Sequence, residues 1–314
     1  MDRRTFLAGA GAAAGATLIQ GSAWAQSTGK AAAAPAVQDF DFLFFTDTHL
    51  EPELNAAKGC AMAFRSMRMF PHADFAIQGG DHVFDTLAVP KQRSLSLWEL
   101  YDQTQQELSV KVYHTLGNHD VFGLKPASGV DPSDPDYGKK YYRDHIGKTF
   151  YSFDHKGVHF VVLDSVQMTP DRDYEGRIDA EQMQWLRTDL AALPAAAPVI
   201  VVTHMPLVTA VDAYLQRDLS PRPHYQMAVV NSAEVLPLFE GHNVLAVLQG
   251  HTHVQERVDW RGVPYITGGA VCGNWWQGTR LGTREGYMEV RVRGGRVQTG
   301  YVTYGFHSVD PHNT

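Results

Sequence analysis

Five short polar motifs interrupt a largely apolar chain of 314 residues. In order they are Asp47-Thr48-His49, Gly80-Asp81, Gly117-Asn118-His119-Asp120, Thr203-His204 and Gly250-His251-Thr252-His253. Carboxylate and amide oxygens combined with imidazole nitrogens are ligands for divalent or trivalent metal ions. Because no thiolate stands among them and imidazole is abundant, the set favours iron, manganese or zinc, with cobalt also possible, and it argues against a site for magnesium alone.

The number of potential ligands indicates two ions. The predicted metal ligands are Asp47, His49, Asp81, Asn118, His204, His251 and His253. Seven donors are too many for one tetrahedral zinc, but they suit two ions that share one carboxylate. In the first and last motifs the paired residues lie two apart, so in extended backbone their side chains would project to the same side.

The Gly117-Asn118-His119-Asp120 motif combines a metal ligand with proton chemistry. The Asn118 carbonyl oxygen suits a metal, whereas His119 can move a proton because an unperturbed imidazole has a pKa of about 6.5. Asp120 is predicted to hold that ring in place, which makes His119 and Asp120 the predicted catalytic pair. Gly117 lets the backbone turn sharply and approach a ligand closely.

Each motif follows an apolar run typical of a buried strand. The predicted strands are 40–46, 75–78, 110–116, 198–202 and 244–248, and the predicted helices are 55–70, 94–108, 179–193 and 232–239. Repeated strand and helix units imply an α/β fold with parallel strands and helices on the sheet faces. Open sheets of this kind build their sites at the carboxyl ends of the strands, which is where the motifs fall.

Other segments leave alternatives open. Residues 151–153 and 158–163 flank a predicted hairpin turn, and the chain after His253 reads as antiparallel strands. The loops 121–142 and 207–231 are expected to overhang the site. Trp275 and Trp276 could line the substrate pocket or pack in the core. Arg172, Tyr174 and Arg177 could touch substrate or lie in a solvated loop, and Asp85 and Asp164 could orient ligands or cap turns.

The ordered motifs resemble those of the calcineurin-like metallophosphoesterase superfamily, over residues 39 to 253. The resemblance implies a four-layer αββα sandwich, with two mixed β-sheets flanked by helices and a binuclear metal site at the carboxyl ends of strands. Asp47, His49 and His253 would then hold one metal ion, and Asn118, His204 and His251 the other. Asp81 would bridge the two ions.

The same resemblance implies a mechanism of phosphoester hydrolysis. A hydroxide that bridges the metals would attack phosphorus, while His119 would act as general acid on the leaving group without binding either metal. Asp120 would orient His119.

Two positions bear on the subfamily. Purple acid phosphatases have Tyr and Gly where this chain has Phe84 and His49, so the sequence is more similar to the cyclic-nucleotide and glycerophosphodiester phosphodiesterase branch. A phosphodiesterase is therefore expected. An acid phosphatase or nucleotidase acting on monoesters, and a metal-binding scaffold without catalysis, are the alternatives.

The first residues resemble a twin-arginine export signal. Arg3 and Arg4 precede an apolar stretch too short to span a bilayer, and Ala23-Trp24-Ala25 resembles a peptidase site. The expected organisation is a signal peptide at 1–25, a flexible lead-in at 26–38 and one domain at 39–314. The product would be periplasmic or secreted after passage through the twin-arginine machinery, with no stable membrane insertion.

Composition limits the partners. Removing residues 1–25 leaves 25 basic and 33 acidic side chains, a formal charge of −8, which argues against nucleic acid polymers and leaves a small phosphoester as the expected substrate. Cys60 and Cys272, the two cysteines of the chain, are expected to be small buried hydrophobes rather than a disulfide framework. The sequence indicates no oligomeric state.

Overall fold

The first strand, β1 (Phe40–Phe45), shows how the sequence builds two hydrophobic cores at once. Side chains alternate across a strand. Phe42 and Phe44 therefore point to one side, where Phe42 meets Phe160 of the opposite sheet edge-on at 5.5 Å. Leu43 and Phe45 point to the other side, where Phe45 packs against Phe64 of a helix at 5.4 Å. Both faces of this strand are buried, as its continuous apolar sequence predicts.

The computed structural model describes residues 36–211, 213 and 226–314. The predicted signal at 1–25, most of the lead-in, and residues 212 and 214–225 of the predicted overhanging loop lie outside this range. The described residues, 36–211, 213 and 226–314, belong to one compact unit.

Two mixed sheets lie face to face within the described residues. The first has the order β13-β12-β1-β2-β3, with β2 Ala73–Gln78, β3 Val112–His114, β12 Gly286–Arg293 and β13 Arg296–Thr303. The second has the order β10-β11-β9-β8-β5-β4, with β4 Tyr151–His155, β5 Val158–Leu163, β8 Pro198–Thr203, β9 Asn243–Gln249, β10 Gln255–Trp260 and β11 Val263–Gly268. A separate hairpin pairs β6 Val166–Met168 with β7 Tyr174–Gly176.

The central strands of each sheet are parallel, and antiparallel strands lie at the edges. In the first sheet β1, β2 and β3 run parallel and β12 pairs antiparallel with β1. In the second sheet β5, β8, β9 and β11 run parallel, flanked by antiparallel β4 and β10. The predicted hairpin at 151–163 is confirmed. The parallel strands that carry the motifs are divided between the two sheets rather than joined in one.

Helices cover the outer faces, which completes the predicted four-layer α/β sandwich. They are α1 Ala56–Arg68, α2 Lys91–Gln105, α3 Lys140–His145, α4 Ala180–Ala191 and α5 Ser232–Val235, with short 3-10 turns at Asn118–Asp120, Pro126–Ser128 and Leu236–Phe239. The N-cap predicted for α4 is confirmed, because the Asp179 side chain accepts a hydrogen bond from the Gln182 amide at 2.8 Å. In the part of the chain described, no helix is long and apolar enough to cross a bilayer.

Candidate metal centre

The carboxyl ends of five strands deliver the predicted ligands to one place. Asp47 and His49 follow β1, Asp81 follows β2 and Asn118 follows β3, all from the first sheet. The second sheet contributes His204 after β8 and the pair His251 and His253 after β9. The structure therefore brings all seven predicted ligands together, in a region where six of them are buried and His251 is partly buried.

The backbone does not hold these residues as the spacing predicted. Five of the seven have a positive φ: 54° at Asp47, 37° at His49, 57° at Asp81, 71° at His251 and 60° at His253. The expectation that each pair converges through extended backbone is wrong, since the chain turns at each strand end through left-handed conformations. Such conformations are costly for residues other than glycine, and they concentrate at functional sites where the surroundings enforce them.

Two glycines let the motifs approach one another. A Cβ on Gly117 would lie 2.1 Å from the Asp81 backbone nitrogen, and one on Gly80 would lie 2.3 Å from Nδ1 of His204. Gly80 also has a φ of 105°, which favours glycine. Gly117 has an ordinary φ of −100°, so the close contact with Asp81, and not a left-handed turn, requires glycine there, and its approach to a ligand stays a prediction.

One group of donors gathers on the first side of Asp81. Nε2 of His49 lies 3.1 Å from Nε2 of His253 and 3.4 Å from Oδ2 of Asp81. Oδ1 of Asp47 lies 3.3 Å from Nε2 of His253. This buried Oδ1 has no hydrogen-bond partner among the described residues, whereas Oδ2 of Asp47 accepts from the Thr46 hydroxyl and the His251 amide. An orphaned carboxylate oxygen facing imidazole nitrogens fits a metal ligand.

A second group lies on the other side of the same carboxylate. Nε2 of His204 lies 3.1 Å from Oδ2 of Asp81, 3.1 Å from Oδ1 of Asn118 and 3.3 Å from Nδ1 of His251. Oδ2 of Asp81 therefore faces both groups, while its Oδ1 accepts a hydrogen bond from the His119 amide at 2.8 Å. This arrangement fits two ions that share one carboxylate.

The four imidazoles are oriented by backbone carbonyls. The ring nitrogen that faces away from the donor cluster contacts a carbonyl oxygen in each case: Phe84 at 3.2 Å for His49, Gly79 at 2.8 Å for His204, Gln226 at 2.7 Å for His251 and Gly273 at 2.7 Å for His253. This contact fixes the tautomer and leaves a lone pair for a metal. The sulfur of Cys272 lies on the far side of His253, 3.6 Å from Nδ1, and both cysteines are buried as predicted.

The pKa shifts within the cluster favour an ionised Asp47 and a neutral His251, the forms that bind metal ions. Burial favours the neutral form, yet the neighbouring charge of His253 holds the pKa of Asp47 well below its usual range. Burial and the neighbouring charge of His204 lower the pKa of His251 to about 4. Burial also disfavours charge on His204, but the adjacent Asp81 outweighs it and raises the pKa of that ring to about 9. Without metal, His204 and Asp81 therefore form an ion pair.

His119 lies beside the cluster but is not held by Asp120. Its ring packs edge-on against His49 at 4.8 Å between centroids, and its Nδ1 lies 3.5 Å from Oδ1 of Asp85. Burial lowers the pKa of His119, but the negative charges of Asp81 and Asp85 outweigh this effect and raise it. A ring nitrogen of His119 is also close enough to His49 and Asp81 to share a metal with them, so its role as a non-ligand stays a prediction.

Asp120 instead ties two motifs together. Its carboxylate accepts hydrogen bonds from the amides of Asp81 at 3.1 Å, His82 at 2.9 Å and Gly117 at 2.9 Å, and from Nδ1 of His82 at 2.8 Å. None of the contacts made by Asp120 among the described residues is a hydrogen bond to His119, so the predicted orienting contact is corrected. His82, which matches none of the sequence motifs, is buried between Asp120 and His114.

A cavity of about 200 Å³ opens over the donor cluster. Its lining includes Asp81, Asn118, His119, Tyr174, Gln226, Met227, His251, Thr252, His253, Trp275 and Arg280. Trp275 lines this cavity, whereas Trp276 is fully buried. Arg172 donates to the carbonyls of Gly123, Leu124 and Val130, and Arg177 pairs with Glu175. Of the three residues suggested from 172–177, the structure places Tyr174 at the cavity.

Comparisons with known proteins agree with this architecture. Residues 40–255 match the profile of the family described as "Calcineurin-like phosphoesterase". A "Probable cyclic nucleotide phosphodiesterase" from Rhodococcus erythropolis is 26% identical over 168 residues, which are 53% of this chain and 48% of that protein. The alignment thus spans about half of that relative.

Solved structures share the fold at lower identity. A dimetal phosphatase from Danio rerio is 18% identical with a TM-score of 0.56, covering 85% of this chain and 99% of that one. The Plasmodium protein GAP50, described as the anchor in the inner membrane complex, is 14% identical with a TM-score of 0.52, covering 88% of each chain. Since the family profile matches more than half of the sequence, the chain belongs to the calcineurin-like phosphoesterase family.

Proposed function

We propose that this protein is an exported, binuclear metal-dependent phosphodiesterase acting on small phosphoesters. The observation that carries the proposal is the position of the Asp81 carboxylate, whose Oδ2 faces His49 at 3.4 Å and His204 at 3.1 Å. One ion would be held by Asp47, His49 and His253, the other by Asn118, His204 and His251, with Asp81 shared. Oxygen and imidazole donors without an inward-facing thiolate suit iron, manganese or zinc.

In the proposed reaction, the metal ions, His119, Asp85 and Asp120 have separate roles. When bound, the two ions supply positive charge that polarises the phosphate and activates water. His119 would donate its proton to the ester oxygen that leaves phosphorus, so that an oxygen from water becomes bonded to phosphorus as the ester bond breaks. Asp85, 3.5 Å from Nδ1 of His119, would stabilise the charged ring before that transfer. Asp120 would act on Asp81 and Gly117 through their amides rather than on His119.

Three observations support a small diester as the substrate. The cavity over the donors is about 200 Å³, which suits a small ester more than a polymer, and the chain carries a formal charge of −7. The similarity to a protein described as a probable cyclic nucleotide phosphodiesterase supports diesters. Because the fold is also similar to that of a dimetal phosphatase, hydrolysis of monoesters is the alternative that the assay below tests.

The test combines metal analysis with hydrolysis of a matched ester pair. The expected result is about two metals per chain, and faster hydrolysis of bis-p-nitrophenyl phosphate than of p-nitrophenyl phosphate. Asp81→Asn should lose metal and turnover. His119→Ala should keep both metals and lose about 10²–10⁴-fold on a phenyl diester, whose leaving group needs a proton, while losing far less on the nitrophenyl diester.

His242→Ala is the matched control, because His242 lies in a different cavity with Trp260 and Tyr265, and it should change neither quantity. Two metals without turnover of either ester would refute the hydrolase and favour a metal-binding scaffold. Equal losses on phenyl and nitrophenyl diesters would refute the proton-donor role of His119.

Export is a separate part of the proposal, supported by the sequence of residues 1–25. Mass spectrometry of protein recovered outside the cytoplasm should find a chain that begins at Gln26, and replacing both Arg3 and Arg4 by Lys should abolish that fraction. A wild-type chain that stays intact in the cytoplasm would contradict export but would not contradict the proposed phosphodiesterase activity.

A further inference from the structure

Two consecutive tryptophans occupy a strained turn beside the donor cluster. Trp275 has a φ of 54° and Trp276 a φ of 64°. Left-handed backbone is a genuine outlier for bulky residues and persists only where the surroundings enforce it. The contacts around this turn therefore show which tryptophan holds the turn in place and which one faces the cavity.

Trp276 is the anchor of the turn. Its ring is fully buried, its Nε1 donates to the His49 carbonyl at 3.0 Å, and it packs edge-on against Phe306 at 5.1 Å. Gly59 of α1 makes room for it, because a Cβ there would lie 2.3 Å from the indole. The hydroxyl of Ser308 donates to the Trp276 carbonyl at 2.7 Å. Trp276 is thus fixed from the core side and from the C-terminal segment.

The C-terminal segment fixes the rest of the turn. The side-chain amide of Asn274 donates to the His312 carbonyl at 2.7 Å, and the His312 amide donates to the Gln277 carbonyl at 2.6 Å. The Thr279 amide donates to the side chain of Asn313 at 2.8 Å. With the turn held on both sides, the direction of Trp275 is set by the backbone.

Trp275 points away from the core and into the cavity. Its ring is partly buried and lies 3.9 Å from the centroid of His49, 5.0 Å from that of His119 and 5.2 Å from that of His253. The indole therefore covers the His49 and His253 side of the donor cluster and forms a wall next to His119. A group attached to the ester oxygen that His119 protonates would lie against this wall.

We propose that Trp275 is a specificity-determining residue, which selects phosphodiesters whose leaving alcohol carries a planar aromatic or heterocyclic group. The inference rests on the proposed function, in which His119 donates a proton to the leaving ester oxygen and so defines the side on which the alcohol leaves. Stacking on an aromatic wall favours planar rings of any identity, because every such ring has a π face. Aliphatic alcohols of equal acidity gain less from the same wall.

The test uses two diesters with leaving alcohols of comparable acidity, phenyl methyl phosphate and hexafluoroisopropyl methyl phosphate. In metal-loaded enzyme, Trp275→Ala should lower kcat/KM for the phenyl ester about tenfold more than for the aliphatic ester. Trp275→Phe should restore the preference. Trp260→Ala is the matched control, because Trp260 is 38% exposed at the end of β10 and lines another cavity, and it should leave the ratio unchanged.

A second readout does not require turnover. Calorimetry should show that phenylphosphonate binds about tenfold more tightly than methylphosphonate to the wild type and to Trp275→Phe, and that Trp275→Ala loses this difference. Metal content is measured on every variant. The inference would be overturned if Trp275→Ala keeps both metals and loses kcat/KM equally on the two esters. It would also be overturned if Trp275→Ala binds phenylphosphonate and methylphosphonate with the same affinity ratio as the wild type. If the metal-loaded wild type hydrolyses neither ester, the proposed function fails, and the phosphonate ratio still decides the role of Trp275.

Discussion

The replacement Asp120→Asn should weaken both the fold and the metal site. The Asp120 carboxylate accepts four hydrogen bonds, three at Oδ2 from the amides of Asp81 and Gly117 and the ring of His82, and one at Oδ1 from the His82 amide. An amide can present its oxygen to the three donors, but its NH₂ group must then face the fourth. One charged hydrogen bond is lost, at a cost of about 1.5–3 kcal/mol, and the other three weaken because the acceptor is neutral.

The expected loss in the free energy of unfolding is therefore about 3 kcal/mol, or roughly 5 °C in Tm for a domain of this length. Because the Asp81 amide then donates to a neutral oxygen instead of a charged one, the metal affinity should fall about 10–100-fold. Chemical denaturation of metal-free protein gives the first quantity, and competition with a chelator gives the second.

Asp164→Asn is the matched control for this prediction. Asp164 is 5% exposed and accepts from the Val166 amide at 3.1 Å and from Lys139 at 2.7 Å. Its replacement should lower stability and leave metal affinity unchanged. If Asp120→Asn destabilises the protein as Asp164→Asn does but binds metal as tightly as the wild type, the assignment of Asp120 as a positioning residue for Asp81 is refuted.

Two further predictions concern the metal-free cluster. Because Asp81 raises the pKa of His204 to about 9 against the effect of burial, His204 carries a proton at pH 7 that a metal must displace, whereas His251, with a pKa of about 4, is already neutral. Metal uptake at pH 7 should release about one proton from His204, and the metal affinity should rise with pH up to about 9. Calorimetry in buffers of different ionisation enthalpy measures this proton release. Binding heats that do not depend on the buffer would contradict it. Gly80→Ala should lower metal affinity more than tenfold, because its Cβ would lie 2.3 Å from the His204 ring. Gly129→Ala, at a φ of 68° with nothing within 4 Å of its Cβ, should cost only about 1 kcal/mol of backbone strain and leave metal affinity unchanged.

The predictions from local sequence held where a pattern repeats along the chain. A helix predicted at 55–70 is found at Ala56–Arg68, and a strand predicted at 198–202 is found at Pro198–Thr203. The strand predicted at 110–116 is reduced to Val112–His114, because the residues after it turn into the donor cluster instead of continuing the ladder. Burial and periodicity depend on neighbouring residues, so they can be read from the sequence, whereas the point at which a strand leaves its sheet depends on the partner strands.

The identity of the clustered residues was also available from the sequence. Asp, Asn and His that follow parallel apolar strands must meet at the carboxyl edge of their sheet, although only the tertiary structure brings the edges of the two sheets together. The choice of residues needs only residue types and strand direction. It identified all seven residues that the structure brings together, although the left-handed turns at Asp47 and His49 replaced the extended geometry first expected.

Only the tertiary structure decided the contacts between residues distant in sequence. Asp120 is next to His119 in the chain, yet it bonds His82, while Asp85 lies beside His119. Trp275 and Trp276 are adjacent and identical in type, yet one lines the cavity and the other is buried under Phe306. The physical reason is direction: sequence specifies which side chains can bond or stack, but the backbone turn and the residues packed around it determine where each one points.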